Sequence, residues 1–480
     1  MDNSTLGIPK HPSNPKAIWC EHCEVWCRSE SAFVHHKQGR KHLQPKMTVD
    51  IAYKRLFGYT MLNDLEQEKQ WKDLIKKCLQ ETRIMKLDAK SSGRNNNKQK
   101  TTYNSVLTSP GTKRGATASA KVLLFYKYVY IENLDALHEW QKSLGLLLNL
   151  NGRIRIGKEG INGTVCGSKT SILLYIEAMK FHVVWKSFFN DIDFKESNNN
   201  ISSNAFSNFW VRQCKEIVVM GQDPDLITAK NGGVHLNPTD FHDQIVSTFN
   251  NTDKNGDKAT TAALLDVRNL YESAIGTMKG AIRLPTRHFS EFPKIADQLI
   301  KEHSLKNKNV YMYCTGGIRC ERASAYLKSK GVKNCFQLKG GIHRYVEQYG
   351  KDGLFVGKNF VFDRRISSER VGDKIIGKCT VCNTASVDEY VAHFTCDECG
   401  VWILVCTICQ KNILKEKEEM KNERKHETAV DATEGQNHNT TTTKLKKRKL
   451  NKLSDVNNSS DMVKKKYFCE YCLIQKGEAP

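Results

Sequence analysis

Residues 310–319 read Val310-Tyr311-Met312-Tyr313-Cys314-Thr315-Gly316-Gly317-Ile318-Arg319, and this stretch decides the fold of the second half of the chain. The four leading residues predict a short buried strand, and the pattern over 320–330 predicts a helix. The two glycines permit a tight loop between them. A loop that opens a helix points several backbone N–H groups at one spot, where the helix dipole also stabilises an anion.

Cys314 is the predicted nucleophile of this loop. A free thiol is mostly protonated at neutral pH, and only the thiolate is nucleophilic. Arg319 adds a positive charge, so we expect a lowered thiol pKa and a site that holds a thiolate or a persulfide. The alternative is a buried structural cysteine beside a glycine turn. Cys320 either packs in the core, which we favour, or resolves an oxidised Cys314.

Strands that alternate with helices surround the loop. Short strands at 264–267, 310–313 and 335–338 predict a mostly parallel sheet. Upstream, interleaved elements predict a small α+β sandwich. Its predicted elements are strands at 122–130, within 153–167 and at 216–219, and helices at 134–148 and 171–182. An amphipathic helix is predicted within 51–85, and 88–118 has too few apolar residues to fold.

The chain between Phe125 and Glu369 resembles the rhodanese-domain tRNA uridine hydroxylases. The Cys-x-x-Gly-x-Arg loop is similar to the active loop of rhodaneses, and Asp266-Val267-Arg268 is similar to the strand end that abuts it. The resemblance rests on strings that occur in order: Phe125–Val129, Gly152–Ile154, Glu159–Thr164, Asp193–Ser197, Lys215–Val218, His235–Pro238, Leu265–Glu272, Cys314–Glu321 and Gln337–Ile342. The animal group called rhodanese-like domain-containing protein 2 also shares the cysteine-rich C-terminus.

This resemblance implies a fold, an activity and a set of site residues. It implies a ferredoxin-like sandwich that helps to hold RNA, followed by a rhodanese α/β domain. The implied activity is oxygen-dependent 5-hydroxylation of the wobble uridine of tRNA, with Cys314 as the essential thiol. Arg319 and Asp266 are the further catalytic candidates, and Thr315, Gly316, Gly317 and Ile318 complete the loop. The alternatives are a sulfurtransferase that carries sulfane sulfur on Cys314 from a small-molecule donor, and a binding module without enzyme activity.

The charge of the chain favours a nucleic-acid partner. A net charge of +22 suits a polyanion, with nucleic acid first and an anionic membrane surface second. The resemblance implies that this nucleic acid is tRNA or another structured RNA. Arg153, Arg155 and Lys158 cluster beside a glycine turn, where basic groups suit phosphate contacts. Asn162 is a further RNA-binding candidate, although it also suits the turn itself. The alternative for each basic residue is a solvated strand edge.

Five Cys-x-x-Cys pairs predict metal sites. Cys20, Cys23, His36 and His42 have the spacing of a two-Cys, two-His zinc finger, similar to U1-like and double-stranded-RNA-binding fingers. His35 is an alternative to His36, and Cys27 is a spare thiol. The other four pairs predict two structural sites of four thiolates, with the last pair closing the second site across a charged insert: Cys379, Cys382, Cys396, Cys399, Cys406, Cys409, Cys469 and Cys472. Spacing does not tell which pairs share a metal, and His393 is a possible substitute ligand.

The sequence thus predicts a multidomain α/β and α+β protein with roughly three structural Zn²⁺ ions and no evident organic cofactor. The expected parts are a zinc finger (1–45), a helix and linker (46–118), the sandwich (119–226), the rhodanese domain (227–358) and a cysteine-rich zinc domain (359–480) with a basic insert (about 411–466). The sequence contains no run of 18 apolar residues, so we expect no membrane span. The N-terminus does not have the pattern of a secretory signal. We expect a cytoplasmic or nuclear protein, or both, with the basic block at 444–449 acting as a solvated tail, a nuclear signal or an RNA patch.

Overall fold

The structure, a computed structural model, describes residues 48–58, 65–92, 120–197, 205–250, 262–416, 418–419 and 466–477, together with two short N-terminal strands. These strands, β1 (Ile18–Cys20) and β2 (Val25–Cys27), pair antiparallel. The predicted linker at 88–118 is wrong for residues 88–92, which are helical, and its remainder lies outside what is described. The basic block at 444–449 and the side chains of Cys20, Cys23, His36, His42 and His393 also lie outside it. The chain forms two units, Met1–Cys214 and Lys215–Pro480.

The first unit contains a five-stranded sheet in the order β6-β3-β5-β4-β7. Its elements are β3 (Ala120–Tyr128), α3 (Leu134–Leu147), β4 (Asn151–Gly157), β5 (Gly160–Ser168), α4 (Lys169–Phe181), α5 (Lys186–Phe189), β6 (Lys195–Glu196) and β7 (Phe209–Gln213). The order of the first four strands is that of a ferredoxin-like sandwich, as the resemblance implies. β7 extends the sheet by pairing parallel to β4.

Two N-terminal helices complete the core of this unit. They are α1 (Val49–Phe57) and α2 (Leu65–Ser92), and the rings of Phe57 and Trp71 stack with centroids 4.1 Å apart. Trp71 also donates from Nε1 to Glu177 on α4 at 3.2 Å. The helix predicted within 51–85 is confirmed, but the segment contains two helices, because Gly58, with a φ of +89°, ends α1.

The second unit contains a parallel sheet in the order β11-β9-β12-β13-β8, which confirms the predicted parallel arrangement. Its elements are β8 (Val234–Leu236), α6 (Pro238–Asn250), β9 (Ala262–Asp266), α7 (Leu270–Ser273), β10 (Gly276–Met278), β11 (Ile282–Arg283), α8 (Phe292–Glu302), β12 (Asn309–Tyr313), α9 (Ile318–Ser329), β13 (Cys335–Leu338) and α10 (Gly341–Tyr349).

The strand predicted at 216–219 is wrong. The carboxylate of Glu216 accepts hydrogen bonds from the backbone N–H groups of Met220 and Gly221, at 2.9 and 3.1 Å. It also pairs with the buried Arg322 at 3.3 Å. These contacts turn the segment back on itself, so Ile217 is buried outside any strand while Val219 stays exposed.

A cysteine-rich region follows the parallel sheet. Its elements are β14 (Phe355–Phe360), β15 (Ser367–Val371), β16 (Tyr390–Thr395), β17 (Trp402–Leu404), α11 (407–416) and α12 (Glu470–Gln475). β14 pairs with both β10 and β15, and β16 pairs with β17. Ile275, Phe360, Tyr390 and Leu404 form a small core that joins this region to the segment between α7 and β10. None of the helices in the described part of the chain is long and apolar enough to cross a membrane.

Candidate active site

The loop that begins at Cys314 connects β12 to α9. Gly317 adopts a φ of +103°, a left-handed conformation that glycine adopts at no steric cost. This turn directs the Gly317 N–H at Cys314 Sγ, 3.1 Å away. The sulfur therefore lies at the N-terminus of a twelve-residue helix, where the helix dipole favours negative charge.

The Cys314 side chain is fully buried, yet its surroundings favour the thiolate. Burial raises the pKa of the Cys314 thiol. This effect is outweighed by a hydrogen bond from Cys320, by the charge of Arg319 and by the N–H groups of Arg319 and Gly317, which together lower the pKa to about 5. Burial and the neighbouring thiolate hold the pKa of Cys320 well above its ordinary value. At neutral pH the pair is one thiolate and one thiol.

Arg319 is fixed by a carboxylate that sequence reasoning missed. Its guanidinium makes two parallel hydrogen bonds to Glu272 on α7, at 2.7 and 2.8 Å, and approaches Thr315 Oγ1 at 3.4 Å. The Glu272 side chain is fully buried and also accepts from the Asn269 N–H at 3.1 Å. The signal was present, because Asn269-x-x-Glu272 is a capping-box spacing.

Asp266 lies in a buried network beneath the loop. Its carboxylate accepts from Arg268 Nε and Nη2 at 2.8 and 2.6 Å, from Thr277 Oγ1 at 3.0 Å and from the Tyr313 hydroxyl at 2.9 Å. These bonds tie together the ends of β9, β10 and β12. Its contacts are those of a positioning residue, while the catalytic role assigned from sequence stays a prediction.

The N-terminus of α10 supports the loop from the other side. The N–H groups of Ile342 and His343 donate to the carbonyls of Cys314 and Thr315, at 3.0 and 3.2 Å. Gly341 permits this approach, because a Cβ atom there would lie 2.5 Å from the Cys314 carbonyl oxygen. The backbone of the loop is thus held between two helices.

The cysteine-rich region gathers its eight cysteines into two groups. Cys379 and Cys382 lie with Cys406 and Cys409, while Cys396 and Cys399 lie with Cys469 and Cys472. The sulfur atoms of each group lie within 4.8 Å of one another. Tetrahedral zinc with Zn–S bonds of about 2.3 Å places its sulfurs about 3.8 Å apart. Each group therefore fits a metal ion of this kind, and the last pair joins the second group across the charged insert.

The sheet of the first unit presents a basic and aromatic face. Arg153 and Arg155 on β4 lie opposite Thr164 and Asn162 on β5 in the register, so all four point to one face. On the other side of β4, Trp210 and Arg212 on β7 pair with Arg153 and Arg155. On the far side of β5, Tyr126 on β3 pairs with Asn162, so these side chains belong to the same face. Lys158 is exposed beside them. Sequence reasoning missed Tyr126, Trp210 and Arg212, which only the strand register reveals.

Three family descriptions match consecutive parts of the chain. Residues 120–217 match the UPF0176 acylphosphatase-like domain, residues 250–348 the rhodanese-like domain and residues 356–419 the rhodanese C-terminal domain.

Curated relatives match across these domains. A protein named tRNA uridine(34) hydroxylase from Corynebacterium diphtheriae is 34% identical over 62% of this chain and 92% of its own. One of the same name from Cytophaga hutchinsonii is 37% identical over 55% of this chain and 78% of its own. Rhodanese-like domain-containing protein 6 of Arabidopsis thaliana is 38% identical over 60% of this chain, which spans only half of that relative.

Two glycines provide a matched test of the loop support. Gly341 and Gly350 flank the same helix and both have positive φ, but only Gly341 has atoms in the way of a Cβ. Both alanine variants meet backbone strain, and Gly341→Ala additionally meets a steric cost of roughly 1–3 kcal/mol. We expect a free energy of unfolding lower by that amount in Gly341→Ala than in Gly350→Ala, measured by urea titration. Equal values would show that α10 does not constrain the loop.

Proposed function

The chain belongs to the tRNA uridine(34) hydroxylase family, and we therefore propose that it hydroxylates the wobble uridine of tRNA at the 5-position with oxygen as co-substrate. The observation that carries this proposal is the thiolate site at Cys314. That site lies in the domain shared with the relatives of this name, and Gly317, Arg319 and Cys320 all favour its charged form.

The site offers the chemistry that such a reaction needs. A thiolate can add to the electrophilic C6 atom of a uracil ring, which raises the electron density at C5, the atom to be hydroxylated. Arg319 can offset the negative charge that then develops on the ring, because Glu272 holds it in place. Since Cys314 is buried, the target base has to leave its stack and enter the site.

We further infer that the sheet face of the first unit binds the RNA. Arg153, Arg155, Lys158 and Asn162 are supported in this role by the neighbouring Tyr126, Trp210 and Arg212. Bases of single-stranded RNA stack on aromatic side chains and on guanidinium planes, and cations contact the phosphates. The guanidinium of Arg212 lies 5.1 Å from the Trp210 ring, so the face offers both kinds of surface together.

The cysteine groups are proposed to bind structural Zn²⁺. Four thiolates suit zinc, and a site with no open position stabilises a fold without taking part in chemistry. With the two-Cys, two-His motif at Cys20, Cys23, His36 and His42, the chain would hold about three Zn²⁺ ions. We propose that the protein works in the cytoplasm, the nucleus or both.

Analysis of tRNA nucleosides tests the proposed activity. Cells that lack the gene should lose 5-hydroxyuridine, as measured by mass spectrometry of digested tRNA. A Cys314→Ser copy should fail to restore it, whereas a Cys335→Ala control should restore it. Normal 5-hydroxyuridine in the deletion would contradict the proposal. The second candidate, sulfur transfer through a persulfide in the same N–H cradle, would instead show thiosulfate:cyanide turnover that depends on Cys314.

Metal content tests the zinc assignment. The purified full chain should contain about three zinc ions, by inductively coupled plasma mass spectrometry. Replacing Cys469 and Cys472 with serine should remove one, because two thiolates cannot complete a tetrahedral site. The Cys335→Ala control should keep all of them. Unchanged zinc in the double variant would show that the last pair does not ligate the metal.

A further inference from the structure

We propose that Phe362 is the stacking platform that receives the extruded uracil ring at the entrance of the Cys314 site. This inference rests on the proposed function and names a side chain that recognises the target base before the chemistry begins. Phe362 lies in the turn between β14 and β15, outside the loop that begins at Cys314.

Phe362 presents an aromatic ring to solvent. The residue is 51% exposed. It is the only exposed phenylalanine, tyrosine or tryptophan among the side chains that the structure describes in the second unit. Its ring packs edge-to-face against the buried Phe360, with the ring centroids 5.3 Å apart. One part of the ring is therefore anchored in the protein, while the rest is open to a ligand.

The ring lies beside the cation of the active site. The Arg319 guanidinium is 5.7 Å from the centre of the Phe362 ring, a distance typical of a cation–π contact. Its Nη2 atom lies 3.4 Å from the hydroxyl of Thr315, the residue that follows Cys314. Because Cys314, Thr315 and Arg319 are buried, Phe362 is on the solvent side of this group of contacts.

The turn that carries Phe362 is fixed by its own hydrogen bonds. Asp363 accepts from the backbone N–H and from the Nε atom of Arg365, at 3.0 and 2.8 Å. The Val361 N–H donates to the Ile366 carbonyl at 2.8 Å, and Ile366 has a φ of +68°, which is unfavourable for a β-branched residue. Such strain persists only where the surrounding structure enforces it, so the turn holds the ring in a defined position.

An extruded base is the ligand that this arrangement suits. A base that leaves its stack loses stacking contacts, and an aromatic side chain at the receiving site replaces them. A ring that is already held in place also loses little side-chain entropy when the base binds. Arg364 is exposed in the same turn and adds a positive charge, as suits the phosphate of the same nucleotide.

A double-mutant cycle between protein and RNA tests this contact. Two anticodon stem–loop RNAs are compared, one with uridine and one with an abasic ribose at the wobble position. Their dissociation constants are measured by fluorescence anisotropy with the full chain in oxygen-free buffer. The unsubstituted protein should bind the uridine RNA about tenfold more tightly, as stacking of one base provides, and Phe362→Ala should lose most of this preference. Equal affinities in the unsubstituted protein, or an unchanged preference in folded Phe362→Ala, would overturn the proposal.

Other substitutions separate stacking from packing. Phe362→Tyr keeps the ring face and should keep the preference for uridine. Phe362→Leu keeps apolar bulk beside Arg319 but has no ring, so it should lose the preference while the reactivity of Cys314 toward iodoacetamide without RNA stays unchanged. Leu226→Ala, at a position 78% exposed in the same unit, should retain the preference. A full preference or an altered Cys314 reactivity in Phe362→Leu would assign the side chain to packing and overturn the proposal.

Product formation distinguishes this failure from failure of the proposed function. With oxygen and tRNA, Phe362→Ala should lower kcat/KM for 5-hydroxyuridine about tenfold, mainly through a higher KM. If the unsubstituted protein forms no 5-hydroxyuridine, the hydroxylase proposal is wrong. A uridine preference that depends on Phe362 would then still support the base-binding platform, and its absence would overturn both.

Discussion

The negative charge on Cys314 lies in the protein interior, where the side chain is not accessible to solvent. A buried ion is costly unless hydrogen bonds and an opposite charge replace its hydration. The loop provides both, through the Gly317 N–H, the Cys320 thiol and the Arg319 guanidinium. Arg319 is itself a buried charge and needs Glu272, whose two oxygens hold it in a bidentate geometry. The buried thiolate therefore requires a buried cation, and the buried cation in turn requires a buried carboxylate.

The cysteine-rich region contacts the elements that hold Glu272 and Arg319. Glu272 belongs to the short helix α7, and the Tyr390 hydroxyl donates to the backbone carbonyl of Tyr271 on that helix at 2.6 Å. Arg283 pairs with Glu470, next to the last cysteine pair, at 2.8 Å. Phe362 lies against Arg319, with the guanidinium 5.7 Å from its ring. The cysteine-rich region therefore contacts the elements that position the thiolate.

Local signals in the sequence were sufficient for the main elements and for the loop. Strand, glycine turn and helix around Cys314 follow from short-range patterns, and they were predicted. Glu272 was missed because its partner Arg319 lies 47 residues away, so only the fold brings the two charges together. Trp210 and Arg212 were missed for a related reason, because β7 joins β4 through a parallel pairing that no nearby turn announces. The strand predicted at 216–219 does not form. Glu216 instead makes hydrogen bonds to the backbone of Met220 and Gly221 and an ion pair with Arg322.

The ionisation of Cys314 tests the central claim most directly. The rate of alkylation by iodoacetamide, followed at the Cys314 peptide by mass spectrometry, reports the thiolate fraction as a function of pH. The account predicts half-ionisation near pH 5 and a clear upward shift in an Arg319→Met variant, since the positive charge is lost. Half-ionisation near the ordinary cysteine value of 9, unchanged by that substitution, would contradict it.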